Sequence, residues 1–439
     1  MTNSKWLRSA LLGGVAVSVM ATGAQASELS DLKAQLEALQ SRVNTIETAP
    51  RAALPEGAML MTASRGQGSL ATFGNEAAKD AANTSNDRGF TIAINPTADL
   101  PAPVTEITVY GYVKGEASWA SETGGAVSLV MPAYHGVDES NAWSFSGRQS
   151  RFGIKAKTDT AIGQIRSKIE GDFYGAANVF RLRHAYGEWD MTPNWTFVAG
   201  QTWHTASLLP IGVSTVDFSG SAGITYSRSA QLSLAYHNGP ISGLIGISHP
   251  NGGTFSDYPD LGGRLQYTAG GGHEFIVSAA IGDDDTAASN TTSYQIGAGA
   301  NVRLGDMATI TAGGLFGKGH MARRYLNQEG FNGKDAGGNG TKMWGAQVGV
   351  SLSVSETTTV NAEFGYADQV EKAGNIVGGC AATRSSACVT DVMTVHANIM
   401  WRPVKQMRLG WEVQWGNNDY YNANSNSAVK GHFGAWFFF

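Results

Sequence analysis

The residues best suited to chemistry are charged side chains that recur at every second position in three nearby stretches. They are Arg151, Lys155 and Lys157 in the first stretch, Arg166, Lys168, Glu170 and Asp172 in the second, and Arg181 and Arg183 in the third. Alternate residues of a β-strand share one face, so these seven basic and two acidic groups would line one surface. Such a surface attracts anions, and a guanidinium group fits a carboxylate at two points. The alternative is that the basic groups pair with Glu170 and Asp172 and only brace the wall.

Further charged residues fall on the same face if the alternation continues along the chain. The basic ones are Lys114, Arg264, Arg303, Arg408 and Lys430, and the acidic ones are Glu116, Glu274, Glu363 and Glu412. The loop 204–222 contains His204, Asp217 and several hydroxyl groups, and it would face the basic side chains across an opening. We therefore expect a basic constriction in a chain whose net charge is −5.

The alternation itself predicts the elements that position these groups. In 106–119 the odd positions are apolar or glycine, whereas the even positions carry every charge. A period of two over 10 to 13 residues, repeated many times, is typical of a transmembrane barrel with an apolar outer face and a polar interior. The sixteen expected strands are 106–119, 143–157, 162–174, 179–190, 194–203, 223–237, 240–249, 261–268, 272–282, 292–305, 307–317, 341–354, 357–367, 390–402, 405–416 and 428–439.

The connections between these strands support the same fold. Those after even-numbered strands are short, and most of those after odd-numbered strands are long. Short turns on one side and long loops on the other are typical of bacterial outer-membrane barrels, and sixteen strands leave an aqueous channel. The last strand ends on Phe439, which resembles the assembly signal of such proteins. We expect an all-β protein, a 16-stranded antiparallel transmembrane β-barrel over 105–439 with an N-terminal α-helical coiled-coil segment.

Composition excludes several other classes of protein. Glycine makes up 56 of the 439 residues and charged residues only 15%, which disfavours a disordered chain. The negative net charge gives no sign of the basic surface that a nucleic-acid-binding protein needs. No run of 18 apolar residues follows the N-terminal segment, which excludes a helical membrane protein.

The first 104 residues predict three segments before the barrel. Residues 1–26 have a basic start, an apolar stretch and an Ala-Gln-Ala sequence, which predict a signal peptide. Residues 27–48 predict a periplasmic coiled coil that favours a parallel oligomer, with a trimer as the preferred state. Its core residues are Leu29, Leu32, Leu36, Leu39, Val43 and Ile46. Residues 49–104 are interpreted as a linker or as a segment that plugs the barrel, with a short extended piece near Phe90.

Some polar residues do not fit the alternation. Arg148, Ser150 and His184 fall on the outward face, where a charge in contact with lipid is costly. Either strands two and four lie at a subunit interface or a β-bulge shifts the local register. We leave both open at this point.

Catalytic and metal-binding patterns are weak. His273-Glu274 lacks the second histidine of a zinc-protease helix, and Asp283 to Asp285 fit a solvated loop better than a cation site near lipid phosphates. The chain therefore predicts no catalytic residue, no metal and no cofactor. Cys380 and Cys388 share one outer loop, and an oxidising compartment favours a disulfide between them.

Several motifs also resemble a known family. They are Tyr-Gly-Tyr-Val-Lys at 110–114, Arg-Gln-Ser-Arg-Phe-Gly-Ile-Lys at 148–155, Glu-Gly-Asp-Phe-Tyr-Gly at 170–175, Arg-Leu-Arg-His-Ala-Tyr-Gly-Glu at 181–188 and Ala-Gly-Gln-Thr-Trp at 199–203. With the preceding coiled coil, they are similar to the DcaP-like trimeric outer-membrane porins, strongly over 105–240 and only in architecture beyond. The resemblance implies a homotrimer of sixteen-stranded barrels that passes small anions, including dicarboxylates.

The sequence thus predicts a porin in the bacterial outer membrane, surrounded by lipid and lipopolysaccharide, that conducts small anionic solutes. The alternatives are a general non-selective porin and, from other classes, an outer-membrane barrel enzyme or a structural tether. An enzyme would need a Ser/His/Asp-type set of residues at one rim of the barrel, and the sequence does not assemble one.

We predict that Cys380 and Cys388 are bonded. A loop this short constrains the unfolded chain by about 2–3 kcal/mol at most, so the effect should stay local. Mass spectrometry without reductant should find a mass two hydrogens lower than that of the dithiol. Two free thiols in the exported protein would contradict the bond. Replacing both residues by serine should alter proteolysis of the outer loop more than conductance.

Overall fold

The structure is a computed structural model that describes residues 60–65, 90–95, 105–123, 137–175, 178–209, 211–218, 220–224, 226–250, 258–283, 292–326, 341–370, 389–420 and 423–439. The signal peptide, the coiled coil, Cys380 and Cys388 lie outside these residues. The described part of the chain contains no helix that is both long and apolar enough to cross a membrane.

Strands dominate the described residues. They are β1 (Leu60–Arg65), β2 (Phe90–Asn95), β3 (Thr105–Thr123), β4 (Val137–Ser146), β5 (Arg151–Thr160), β6 (Gly163–Asp172), β7 (Arg181–Thr192), β8 (Trp195–Trp203), β9 (Arg228–Asn238), β10 (Ile241–Ser248), β11 (Asp260–Ala269), β12 (His273–Asp283), β13 (Thr292–Leu304), β14 (Ala308–Lys318), β15 (Lys342–Ser355), β16 (Thr358–Gln369), β17 (Val389–Val404), β18 (Met407–Tyr420) and β19 (Ala423–Phe438). A helix, α1 (Gly319–Leu326), follows β14.

The strands from β3 onward close into one antiparallel barrel. Each strand from β5 to β19 pairs with the next, and residues Lys430–Phe438 of β19 pair with residues Tyr112–Ala120 of β3. β4 and β5 both pair with β3, one after the other, and so occupy a single position in the wall. The barrel therefore has sixteen strand positions, as the alternation predicted.

The connections follow the expected pattern. The short turns 161–162, 193–194, 239–240, 270–272, 305–307, 356–357 and 405–406 all leave even-numbered wall positions. The sixth wall position begins at Arg228 and not at residue 223, as the pattern had suggested. The reason is that 222–224 belong to a loop that packs against the inside of the wall, described below.

The two faces of the barrel differ in chemistry. Val113, Phe145 and Ile169 on the outer face are 56%, 78% and 60% exposed, whereas Lys114 and Lys168 beside them are buried inside. Similar apolar side chains cover the outer face around the barrel. An apolar surface of this extent is costly in water and is the surface that a transmembrane barrel presents to lipid.

Two pieces of the 49–104 segment extend the sheet. β1 pairs with β2, and β2 pairs through Phe90–Ile94 with Thr105–Val109 of β3. The same side of β3 pairs with β19 only from Tyr112 onward, so β2 continues the sheet beyond the end of β19. The extended piece expected near Phe90 is therefore a strand. The interpretation of 49–104 as a linker or a plug stays a prediction.

Candidate functional site

The interior wall formed by β5, β6 and β7 carries a cluster of charges around two carboxylates. Glu170 lies 3.4 Å from Arg151, 3.5 Å from Lys168 and 3.0 Å from Arg183. Asp172 lies 2.8 Å from Arg181 and 2.9 Å from Arg183. The phenol of Tyr110 donates a hydrogen bond of 2.8 Å to Glu170, and the Lys155 ammonium lies 4.9 Å from the centre of the same ring. Together these contacts place five basic groups and two acidic groups in one connected network.

We call this network of Arg151, Lys155, Lys168, Glu170, Asp172, Arg181 and Arg183 the basic cluster. The pairing expected as the alternative to an open basic surface is present, because both carboxylates contact more than one cation. Five basic and two acidic groups nevertheless leave three positive charges. The Arg181 side chain is 35% exposed, whereas that of Arg183 is only 2% exposed, so Arg181 is the arginine with the greater access to water.

Arg166 belongs to a different environment. Its guanidinium contacts Glu188 at 2.8 Å and Asp190 at 2.5 Å, so this group of three carries one negative charge. Arg166 and Asp190 line a cavity of about 900 Å³ near the turns 161–162 and 193–194. Alternation alone places Arg166 among the basic groups, but its partners cancel its contribution to a positive field.

Two β-bulges account for the polar residues that the alternation placed outside. Glu170 pairs with His184 while Gly171 pairs with Leu182, so an extra residue sits at Arg183 and turns both Arg183 and His184 inward. Their side chains are buried. The bulge explanation is therefore the one that the structure supports for His184.

The second bulge lies between β4 and β5. Arg151 pairs with Tyr112 and Ser146 pairs with Glu116, so five steps along one chain oppose four along the other. Within this bulge Arg148 donates hydrogen bonds to the carbonyl oxygens of Phe173, Tyr174 and Gly175. The hydroxyl of Ser150 accepts a hydrogen bond of 3.0 Å from the amide of Lys114. Both residues are thus held by the wall.

The loop between β8 and β9 lies inside the barrel. Its described residues are 204–209, 211–218, 220–224 and 226–227, and we call them the inner loop. Leu208, Leu209 and Ile211 in this loop are almost completely buried. Its amides at Gly212, Val213 and Ala222 donate to Thr311, Glu363 and Thr394 of the wall at 3.0, 3.2 and 2.8 Å. The inner loop therefore lies along β14 to β17, opposite the basic cluster.

Glycine on the inner face makes room for this loop. A Cβ atom on Gly365 would collide with the carbonyl of Ala222, and one on Gly345 would collide with the carbonyl of Gly223. A Cβ atom on Gly410 would lie 2.7 Å from a methyl carbon of Val216. The close approach of the inner loop to the wall requires glycine at these wall positions.

The tip of the inner loop, residues 216–218, is held through both its backbone amides and a backbone carbonyl. The Glu412 carboxylate accepts hydrogen bonds from the amides of Val216 at 2.7 Å and Asp217 at 3.3 Å. The Lys114 ammonium donates to the carbonyl of Val216 at 2.7 Å and contacts Glu116 at 2.6 Å. We call Glu412 and Lys114 the tip clamp. Hydrogen bonds to charged groups are the strong ones, so the clamp fixes how far the tip enters the barrel.

An aromatic contact joins the tip to the basic cluster. The ring of Phe218 stacks on Tyr174 with centroids 4.5 Å apart. The guanidinium groups of Arg181 and Arg183 lie 5.6 and 5.7 Å from the Phe218 centroid. Burial is the main cause that raises the pKa of Tyr174, so its phenol is neutral at physiological pH. The tip of the inner loop is therefore in contact with the basic cluster.

The remaining predicted residues take several positions. Glu116, Glu363 and Glu412 contact Lys114 or the inner loop, and Arg408 lies over the ring of Trp436 at 4.0 Å. Glu274 accepts hydrogen bonds from Gln266 and Asn301. Arg303 is exposed next to the turn 305–307 and belongs to β13, which carries no member of the basic cluster. No sequence signal identified the tip clamp, because its partners are about 100 and 200 residues apart.

Comparisons with known proteins agree with this architecture. No family model matches the chain, and no curated protein matches it. Among solved structures, the outer membrane channel DcaP of Acinetobacter baumannii has a TM-score of 0.64 and 19% identity over 76% of this chain and 97% of that one. The anion-selective porin from Comamonas acidovorans has a TM-score of 0.55 and 14% identity over 76% and 100%. OmpT of Vibrio cholerae, in a trimer form, has a TM-score of 0.53 and 13% identity over 76% and 99%.

These similarities concern the fold. They agree with the sixteen-stranded barrel seen here, and the resemblance to DcaP-like porins that the motifs suggested is confirmed at that level.

We predict that Glu412→Gln loosens the tip of the inner loop. Loss of the charge weakens two hydrogen bonds to amides, each worth about 1.5–3 kcal/mol as a charged contact. Open-channel current noise in a planar bilayer should rise, and Lys114→Met should act in the same direction.

The control is Glu274→Gln, which removes an interior carboxylate that contacts Gln266 and Asn301 but not the inner loop. Its traces should match those of the unmodified protein. Identical noise in Glu412→Gln and Glu274→Gln would refute the tip clamp.

Proposed function

We propose that this protein is a porin of a bacterial outer membrane that conducts small hydrophilic solutes and prefers anions. The single observation that carries the proposal is the excess of three positive charges in the basic cluster, which the tip of the inner loop contacts. The apolar outer face and the charged interior support a water-filled path through lipid. The similarity in fold to a channel and to an anion-selective porin supports the same reading.

The preference for anions follows from local charge. A charged ring inside a low-dielectric wall concentrates counter-ions and excludes ions of like charge. Acidic groups that lie farther than a screening length of about 8–10 Å from such a ring count for little there. The net charge of −5 for the whole chain is therefore compatible with a positive constriction.

Dicarboxylates are the proposed preferred solutes. Two carboxylates in one molecule can engage two separate guanidinium groups, and the exposed part of Arg181 is the first that a solute would meet. Glu170 and Asp172 already share Arg183, so a solute can compete only partly for it. This competition keeps binding weak, which a conducting channel requires.

The proposed assembly is a homotrimer in the outer membrane, with its coiled coil in the periplasm. A comparison structure of the same fold is a trimer form, and the seam of the predicted coiled coil favours three chains. Two and a half heptads are marginally stable alone, so the barrel walls would provide most of the trimer contact.

The alternatives to a porin, from other classes of protein, are an outer-membrane enzyme and a structural tether. A serine and a histidine do meet inside the barrel, with Ser248 Oγ 2.7 Å from His204 Nε2. However, His204 is completely buried and its other ring nitrogen faces the Tyr325 hydroxyl, so the pair has a structural explanation. An enzyme or a tether would be silent in a bilayer, whereas a non-selective porin would conduct without preferring anions.

We predict an anion-selective reversal potential in a planar bilayer under a salt gradient. Arg181→Ala with Arg183→Ala removes two of the five basic groups of the cluster and should shift selectivity toward cations. Glu170→Gln with Asp172→Asn should shift it further toward anions. A dicarboxylate should reduce chloride current at lower concentration than a monocarboxylate does.

The matched control is Lys157→Ala with Arg303→Ala, which removes two positive charges outside the basic cluster. Lys157 pairs with Glu106 at 3.4 Å and Arg303 lies at a barrel end, so selectivity should change little. Cation preference in the unmodified protein would overturn the proposal. An equal shift in the control and the cluster variants would mean that total charge, and not the cluster, sets selectivity.

A further inference from the structure

A second element enters the barrel beside the inner loop. The helix α1 follows β14, and Met321, Ala322, Tyr325 and Leu326 in it are almost completely buried. The amide of Met321 donates a hydrogen bond of 3.0 Å to the hydroxyl of Ser293 in β13. From the sequence, this stretch is expected to be an ordinary long outer loop.

Glycine on the inner face of the wall makes room for α1. A Cβ atom on Gly345 would collide with a methyl carbon of Leu326, and one on Gly317 would lie 2.9 Å from the Cβ of Ala322. Both contacts are closer than two side chains tolerate. The helix is therefore seated directly on β14 and β15, with no layer of side chains from these two positions between them.

Polar contacts fix α1 to the wall and to the inner loop. Asp260 of β11 forms an ion pair of 3.0 Å with Arg324, whose second terminal nitrogen donates to the carbonyl of His249 at 3.0 Å. The hydroxyl of Tyr325 is hydrogen-bonded to the ring of His204, the first residue of the inner loop. The helix and the inner loop are thus held against each other inside the barrel.

These two elements share one apolar core with the wall. Leu208 and Ile211 of the inner loop pack with Met321 and Leu326 of α1 and with wall residues such as Leu315. We call this group the internal core. Its wall residues come from β12 and from β14 to β18, whereas the basic cluster belongs to β5, β6 and β7.

An apolar core is unusual inside a barrel of this kind. The interior of a water-filled transmembrane barrel is polar, because water and ions fill it. Closely packed apolar side chains exclude both water and ions. The part of the lumen that the internal core occupies is therefore closed to a hydrated ion, whereas the side chain of Arg181 in the basic cluster is 35% exposed to water.

We propose that α1 determines the selectivity of the channel by completing the internal core, which closes the lumen along β11 to β15 and leaves the side of the basic cluster as the conducting path. This inference rests on the proposed porin function and deepens it. It assigns the choice of path to a helix that carries no member of the basic cluster.

The charges of the closed side give the direction of the effect. Asp260 and Arg264 lie on β11 beneath α1 and the start of the inner loop, where Arg264 donates to the carbonyls of His204 and Thr205. These two wall charges have opposite signs, whereas the basic cluster has an excess of three positive charges. A path opened by release of α1 would therefore pass ions with less preference for anions.

The first test releases the helix without altering any wall strand or any charge. Met321→Ser with Leu326→Ser removes two of the apolar contacts of α1. Single-channel conductance should rise, and the reversal potential under a salt gradient should shift toward weaker anion preference. Ala322→Leu provides a second route to the same result, because the larger side chain overfills the space that Gly317 leaves.

The second test asks whether α1 and the basic cluster act on the same ions. Arg181→Ala with Arg183→Ala should shift the reversal potential toward cations in the unmodified protein. The same pair should cause a smaller shift when combined with Met321→Ser and Leu326→Ser, because part of the current then bypasses the cluster. Equal shifts in the two backgrounds would overturn the proposal.

The seat of α1 can be checked without measuring current. In the full-length protein with Cys380→Ser and Cys388→Ser, Ser293→Cys places a thiol beneath α1, and a charged methanethiosulfonate reagent tests its access to water by mass spectrometry. The thiol should be unreactive with the native helix and reactive with Met321→Ser and Leu326→Ser. Arg303→Cys, at an exposed position of the same strand, should react in both.

The matched control is Arg323→Ser, which introduces serine at an exposed position of the same helix. It should leave the Ser293→Cys thiol unreactive. Conductance should also stay unchanged in about 1 M salt, where charges are screened within about 3 Å.

The outcomes separate this inference from the porin function. Reaction of the Ser293→Cys thiol beneath the native helix would overturn the proposal. So would a conducting Met321→Ser and Leu326→Ser protein in which the thiol reacts but conductance and selectivity are those of the unmodified protein. Silence of the unmodified protein and of every variant in a bilayer would contradict the porin function itself, and this inference would fall with it.

Discussion

The structure depends on one constraint, which is that backbone polar groups packed inside the barrel away from water need hydrogen-bond partners there. The inner loop brings an irregular backbone into this space, with amides and carbonyls that no strand ladder satisfies. The wall supplies the missing partners through Glu363, Glu412, Thr311 and Thr394, and through Lys114 for a carbonyl. Several carboxylates that look like free pore charges in the sequence are therefore part of the scaffold of the loop.

The same constraint shapes the basic cluster. Buried cations are costly unless they are paired, and Glu170 and Asp172 pair with three and two of them. The pairing also fixes the side chains, so the excess of positive charge has a defined position beside Phe218. The ion pairs and the attraction of anions are thus compatible, because the pairs hold in place the basic groups that attract anions.

The strand period made most of the fold predictable. A period of two in stretches such as 106–119 specified the sixteen wall positions and the side of each connection, and these are local properties. The bulges at Arg183 and near Arg148 could not be predicted, because one extra residue shifts the inward and outward alternation of side chains without changing the composition of the strand. For this reason a bulge and a subunit interface fit the sequence equally well, and only the register distinguishes them.

The candidate site was only half predictable. The cations of β5 to β7 follow from alternation, whereas their individual partners depend on which strands are neighbours and at what register. The tip clamp joins residues far apart in the sequence, and the helix α1 has eight residues within a stretch of loop composition. Contacts between residues so far apart in the sequence are set by closure of the barrel and cannot be predicted from a short stretch of sequence.

The most direct test of this account is amide hydrogen exchange at Val216 and Asp217. These amides lie in a loop, yet they donate to a buried carboxylate inside the barrel. The account predicts protection comparable to that of the strands β17 and β18, far above that of an ordinary loop. Exchange at the rate of a solvated loop would contradict the central claim that the wall holds the inner loop inside the barrel.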